Sequence, residues 1–262
     1  MTNEIKSLPP LPASIVKIQE LCMSSDTDID ELARVIEADP MLSANILKSV
    51  NSPLYGMSKE ISSIPQAVML FGISMIRGFA AANAIKKTVP VDLNPYGKTI
   101  DDLGRISTLQ ATLVREWYRN VDKSMLPLLQ SAAFLMELGK LVASIKLIGS
   151  GSAERFKEAL AQGKAIGEAE RDLLGMSSYE IAAMMFEHWN FESALTEALK
   201  AISDPSSSNR YAQVLRVVSE AVDFRDALGT EGIRKAVETI EVLGLNRSAF
   251  EDAVQTIQSH NH

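Results

Sequence analysis

Apolar residues along the chain recur every three or four positions, and no stretch alternates apolar and polar over a strand's length. The pattern predicts an all-helical fold. Helix-start signals sit where the apolar stripes begin. Asp28-Ile29-Asp30-Glu31 resembles a capping box ahead of Leu32, Val35 and Ile36, and Asp39-Pro40 closes that helix while giving the next a cap and a first-turn proline. This second helix buries Leu42, Ile46, Leu47 and Val50 and stops at Asn51-Ser52-Pro53, because proline pushes the preceding residue out of the helical region. Ser63-Ile64-Pro65-Gln66 caps a further run through Phe71, and Gly72 separates it from an alanine-rich, central helix over Ser74 to Lys87.

Two prolines, an asparagine and a glycine between Pro90 and Gly97 mark the best internal boundary, read as a junction between two lobes. Beyond it, Leu103, Ile106, Leu109, Leu113 and Trp117 define one helix. Pro127 opens another that faces Leu128, Ala132, Leu135, Leu138, Leu141 and Val142 inward. Gly149-Ser150-Gly151-Ser152 lacks the ending of a phosphate loop and reads as a connector. Helices are expected over Ser152–Gln162, Gly167–Leu174, Ser178–Trp189 and Glu192–Ala201, then a serine-rich loop, then Tyr211–Leu228, Glu231–Leu243 and Ser248–Ser259. Leu32, Ile46, Phe71, Phe79, Leu135 and Leu138 should be buried, with Gly72 and Gly139 at close helix approaches.

Composition narrows the classes. The 262 residues are 46% hydrophobic and 23% charged, as in globular chains, and the net charge of −7 argues against nucleic acid as the main partner. Cys22 is the one cysteine, so no intrachain disulfide can form and a cytoplasmic location is expected. It follows Leu11, Ile15 and Ile18 at helical spacing, as a core residue would, rather than a catalytic thiolate. No signal peptide is visible, and Ile64–Ile85, interrupted by Pro65, Gly72, Arg77 and Asn83, reads as two buried helices rather than a membrane span.

Leu8-Pro9-Pro10-Leu11-Pro12, Ile36-Glu37-Ala38-Asp39-Pro40 leading into Leu47-Lys48-Ser49-Val50-Asn51-Ser52, and Ile61 to Gly72 together resemble the HDOD family, the HD-related output domain of bacterial signalling proteins. The likeness continues through Phe134–Leu141 and Glu170–Gly175. It implies a multi-helix, two-lobed HD-like domain over residues 1–205 and a C-terminal helical extension over 206–262. It also implies kinship with metal-dependent phosphohydrolases, whose histidines and His-Asp pair hold divalent ions that activate water. The corresponding positions here read Ile106, Met136-Glu137, Ser178 and Ser203 before Asp204, so the metal ligands look lost and neither a metal nor a cofactor is expected. The histidine count agrees: of three, His260 and His262 sit at the C-terminus, leaving His188 at a helix end.

The leading expectation is a non-catalytic signalling module acting through protein contacts or a ligand-induced change of shape. It would meet proteins of a bacterial signalling pathway in trans, with a homodimer left open, since no receiver, kinase or cyclase segment is visible. Two rivals are a phosphohydrolase acting on nucleotides or cyclic dinucleotides, and a sensor of small anions. For the sensor, Arg77, Lys140 or Arg171 would supply contacts, although each reads first as a solvated helix-face charge. Val214, Val217, Val218 and Ala221 form an apolar stripe after Ser208 that must be buried, against a partner or against the chain's own second lobe.

Overall fold

The aspartates and serines singled out above do cap the first helices. The computed structural model describes residues 5, 8–23, 28–89 and 92–260. After α1 (Ala13–Met23), the Asp28 carboxylate accepts from Asp30 N to start α2 (Ile29–Glu37), and Asp39 accepts from Met41 N and Leu42 N to start α3 (Pro40–Val50). The side chain of Asn51 then closes the following loop, accepting from Ile61 N and donating to Ile61 O, each at 2.8 Å.

Ser63 caps α4 (Ile64–Thr88), whose backbone breaks at Gly72 with φ 77° and ψ 159°. A Cβ at Gly72 would meet nothing within 4 Å, so the expected close approach is corrected: glycine serves here because the conformation is closed to other residues. Gly72→Ala is therefore expected to cost about 1–3 kcal/mol through backbone strain. Urea unfolding checks this, and a variant as stable as the parent would refute it. Past the break, Met75 through Ala82, Ala84 and Ile85 are all buried. By length and composition this helix would suffice to cross a membrane, but its apolar window is mostly buried inside the fold, as suits a core helix.

A capping box of Thr99 and Asp102 starts α5 (Ile100–Tyr118). Next come α6 (Leu126–Leu135), a single 3-10 turn (Met136–Leu138) and α7 (Gly139–Gly149). The continuous helix expected from Pro127 to Val142 is thus two helices. Leu135, Leu138 and Leu141 are three residues apart, a spacing that a 3-10 turn satisfies as well as an α-helix does. There follow α8 (Ala153–Ala161), α9 (Ile166–Leu174), α10 (Ser178–His188), α11 (Ser193–Ala201), α12 (Arg210–Ala221), α13 (Thr230–Leu243) and α14 (Arg247–His260). Helix α12 stops at Ala221 rather than Leu228. Asp223 accepts from Arg225 N at 2.8 Å, and Val222 pairs antiparallel with Ala227, so residues 222–228 fold back as a short loop.

In the packing, α6 lies against α5 and α4, while α10 covers α7 and the 3-10 turn. The C-terminal helices dock on the same body: α12 on α11 and α6, and α14 on α5, where the Trp117 ring meets Phe250 at 5.1 Å and its Nε1 donates to Asn246 O. Val214, Val217, Val218 and Ala221 are fully buried in this chain, which removes the reason for seeking a partner to cover them. The six residues expected in the core are buried, as are Trp117 and Trp189, and one contiguous cluster runs from Ile5 to Ile257. Met136 and Met75 are buried, whereas Met69 is exposed. Pro90 and Val91 of the expected lobe junction, the side chain of His260 and all of His262 lie outside the described residues.

Candidate functional site

The 3-10 turn places Glu137 inside the protein, and Gly139 lets α7 begin against the start of α10. A Cβ at Gly139 would stand 1.8 Å from Ser178 O, so only glycine permits this approach. Lys140, one residue on, is 1% exposed. Its ammonium Nζ lies 2.5 Å from Glu137 Oε2, donates to Ser178 Oγ at 3.1 Å, and sits 4.9, 5.1 and 5.9 Å from the ring centroids of Tyr179, Phe224 and Tyr96.

A second layer of bonds fixes this pair. Gln110 Nε2 donates to Glu137 Oε1 at 2.8 Å and to Val222 O at 3.2 Å. Glu170, itself fully buried, accepts from Tyr96 OH at 2.7 Å and from Ser178 N at 2.6 Å. Burial is the largest influence and opposes the charge on Lys140, but Glu137, Tyr179 and Glu170 together outweigh it and hold the ammonium above the usual lysine range. Burial pushes Glu170 upward, and Lys140 with the two donors offsets only part of that. The cluster is a sealed ion pair in an aromatic cage, with Phe224 as its roof.

Of the positions where the resemblance places lost ligands, Glu137 and Ser178 meet through Lys140, and Met136 is buried beside them in the turn. Ile106 lies one helical turn before Gln110 and lines a different cavity, of about 770 Å³, with Leu54, Lys98, Arg105, Phe224 and Leu228. Ser203 reaches the cluster only indirectly, its hydroxyl 2.9 Å from Ser177 Oγ. Asp204 is exposed and accepts from Ser206 N and Oγ. Glu137 itself is paired and lies fully inside the protein.

The three cations also separate. Lys140 and Arg77 are buried, contrary to their reading as solvated charges; Arg77 is ion-paired with Glu192 and lies 5.6 Å over the Phe191 ring. Arg171 is exposed, bonded to Glu180 at 3.1 Å and to Ser203 O at 3.3 Å. Burial pushes the Cys22 thiol up to about 11, which suits a packing residue and not a thiolate. His188 is exposed at the end of α10, its Nε2 3.4 Å from Leu8 O. Sequence reasoning missed Tyr96, Gln110, Glu170, Tyr179 and Phe224. The one local signal was Glu137 and Lys140 three residues apart inside an otherwise apolar stretch.

These donors do not fit a divalent metal ion. A thioether, an alkyl side chain and hydroxyls stand where imidazoles would be needed, and the free oxygen of Glu137 is taken by a permanent ammonium. Among the described residues no three His, Cys, Asp or Glu side chains are grouped as metal ligands.

A stretch of 73 residues is 30% identical to an uncharacterized protein of Treponema pallidum (strain Nichols), covering 28% of this chain and only 14% of that curated relative. Solved structures extend the likeness over the whole chain. A protein from Shewanella amazonensis SB2B, provisionally designated a phosphohydrolase, has 21% identity and a TM-score of 0.75, with 98% of this chain and 92% of that one covered. Another from Marinobacter aquaeolei VT8, provisionally designated a signal transduction protein, has 24% identity and a TM-score of 0.72, covering 97% of this chain and 58% of that one. At such identities the likeness establishes the fold. The family profile of the HDOD domain matches residues 8–205, most of the chain, and so this protein belongs to the HDOD family.

Proposed function

We propose that this chain is a non-catalytic HDOD module for signal transduction, acting through contacts with other proteins or through a change of shape. The observation that carries the reading is the Lys140–Glu137 pair. An internal ammonium supplies at that point the positive charge that a metal ion would bring, and it has no open coordination position for water. The designation of the Marinobacter structure as a signal transduction protein agrees with this reading. That of the Shewanella structure favours the rival, hydrolysis of a phosphate ester on a nucleotide or cyclic dinucleotide. Partners would be proteins met in trans in a reducing, cytoplasmic setting, as the single cysteine suggests.

The test joins elemental analysis of the purified chain to a phosphodiesterase assay with bis(p-nitrophenyl) phosphate and cyclic dinucleotides in the presence of Mg²⁺ or Mn²⁺. No stoichiometric Mn, Fe or Zn and no turnover are expected. Hydrolysis that disappears in Glu137→Gln would overturn the proposal and restore an enzymatic site.

A further inference from the structure

Apart from the Lys140 cluster, a groove of about 500 Å³ opens where α3, α4 and α5 meet. Each helix sends one cation to it: Lys48 from α3, Lys86 from α4 and Arg105 from α5; the one carboxylate in the lining is Asp101, with Asp102 near enough to feel the charge of Arg105. None of the three forms an ion pair or a side-chain hydrogen bond among the described residues. The more deeply placed cations Arg77, Arg115 and Lys140 are all paired. Lys86 is half-buried; burial depresses its ammonium, Asp101 offsets part of this, and Lys48 adds repulsion. Positive charge thus crowds at one place on a chain whose net charge is −7, and an anion bound there would relieve it.

Neutral groups complete the lining. Asn45 Nδ2 donates to Asn83 Oδ1 at 2.9 Å, which leaves the Asn83 amide nitrogen uncommitted, and the Ser52 hydroxyl is uncommitted as well. The apolar wall consists of Phe79 and Phe134, packed edge to face at 4.7 Å, with Ala82. Gly104 lines the groove beside Lys86, where a Cβ would make only an ordinary contact, 3.6 Å from Lys86 Nζ. Lys48, Ser49 and Ser52 belong to one of the sequence stretches that carried the family resemblance, and the Lys140 cluster uses none of them. The volume is within the range of small-molecule sites and far too small for a protein surface.

We propose that this groove binds a phosphorylated small molecule, with Lys48, Lys86 and Arg105 holding the phosphate through charge-assisted hydrogen bonds and Asn83 adding a neutral donor. The site shares no residue with the Lys140–Glu137 pair, so it stands or falls independently of whether the module is catalytic.

Calorimetric titration of the full chain at low ionic strength tests it, with inorganic pyrophosphate and adenosine 5′-diphosphate as probes. Saturable binding of at least one probe is expected, weakened about tenfold or more in both Lys86→Gln and Arg105→Gln, which is about 1.4 kcal/mol or more. Lys200→Gln, an exposed lysine on α11, should bind like the parent. Thermal melts establish that each variant is folded. The proposal is overturned if neither probe saturates, if the two groove variants bind like the parent, or if Lys200→Gln weakens binding as much as they do.

Discussion

Replacing Lys140 by methionine is expected to remove about 3–5 kcal/mol of unfolding free energy, one of the largest losses any single substitution in this chain should cause. Methionine nearly matches the volume of the lysine stem, so packing changes little. What changes is that Glu137, 1% exposed, loses the charge 2.5 Å away that makes its burial tolerable, while Glu170 lies in the same cluster. The double variant Lys140→Met with Glu137→Leu should recover most of the loss, because exchanging a buried pair for apolar groups of similar size is often neutral. Urea unfolding of parent, singles and double gives the coupling directly. A single variant within about 1 kcal/mol of the parent, or a double no better than the single, would show that the pair is not an isolated buried interaction. The sign of the pH dependence follows from the raised lysine. Its stabilisation is complete below the ordinary lysine value of 10.5 and is lost only as pH rises beyond that, through the higher folded value. Stability near neutral pH should therefore not vary on account of Lys140.

Gly139→Ala is expected to cost about 3 kcal/mol, at the upper end of what overpacking produces. The added methyl would stand 1.8 Å from Ser178 O and 2.8 Å from Ala182 N, both backbone atoms that cannot rotate away. The starts of α7 and α10 would have to separate. Since Ser178 donates through its backbone to Glu170 and accepts from Lys140, the displacement should loosen the cluster as well. Urea unfolding again provides the measure, and a variant within about 0.5 kcal/mol of the parent would show that the two helices yield without strain.

Helix caps were legible because they are local: Asp28, Asp39 and Ser63 lie within three residues of the amides they bond. Periodicity misled in two places for the same reason. At Met136–Leu138 and again at Val222–Leu228 the chain keeps helix-like apolar spacing while turning, and spacing alone does not separate an α-helix from a 3-10 turn or a compact loop. Gly72 and Gly139 look alike in sequence, yet one meets a steric demand of φ and the other a demand for contact across 39 residues of chain, to Ser178. The residue types at Ile106, Met136, Glu137, Ser178 and Ser203 were legible. That Lys140 takes up the carboxylate was not, because its environment is assembled from Tyr96, Glu170, Tyr179 and Phe224, which no local pattern connects to it.

The roof over Lys140 has a consequence for where this protein can be cut. The family profile ends at residue 205, yet the carbonyl that fixes Gln110 comes from Val222 and the ring that closes the cage from Phe224. The segment recognisable by family and the segment that seals its own interior are therefore different lengths. An expression boundary drawn at the profile's edge would leave Gln110 and an ammonium–carboxylate pair open to water, and would strip Phe250 from Trp117. Residues beyond the profile's edge are thus placed to set how exposed that charge is, without any change in the turn that bears Glu137 and Lys140.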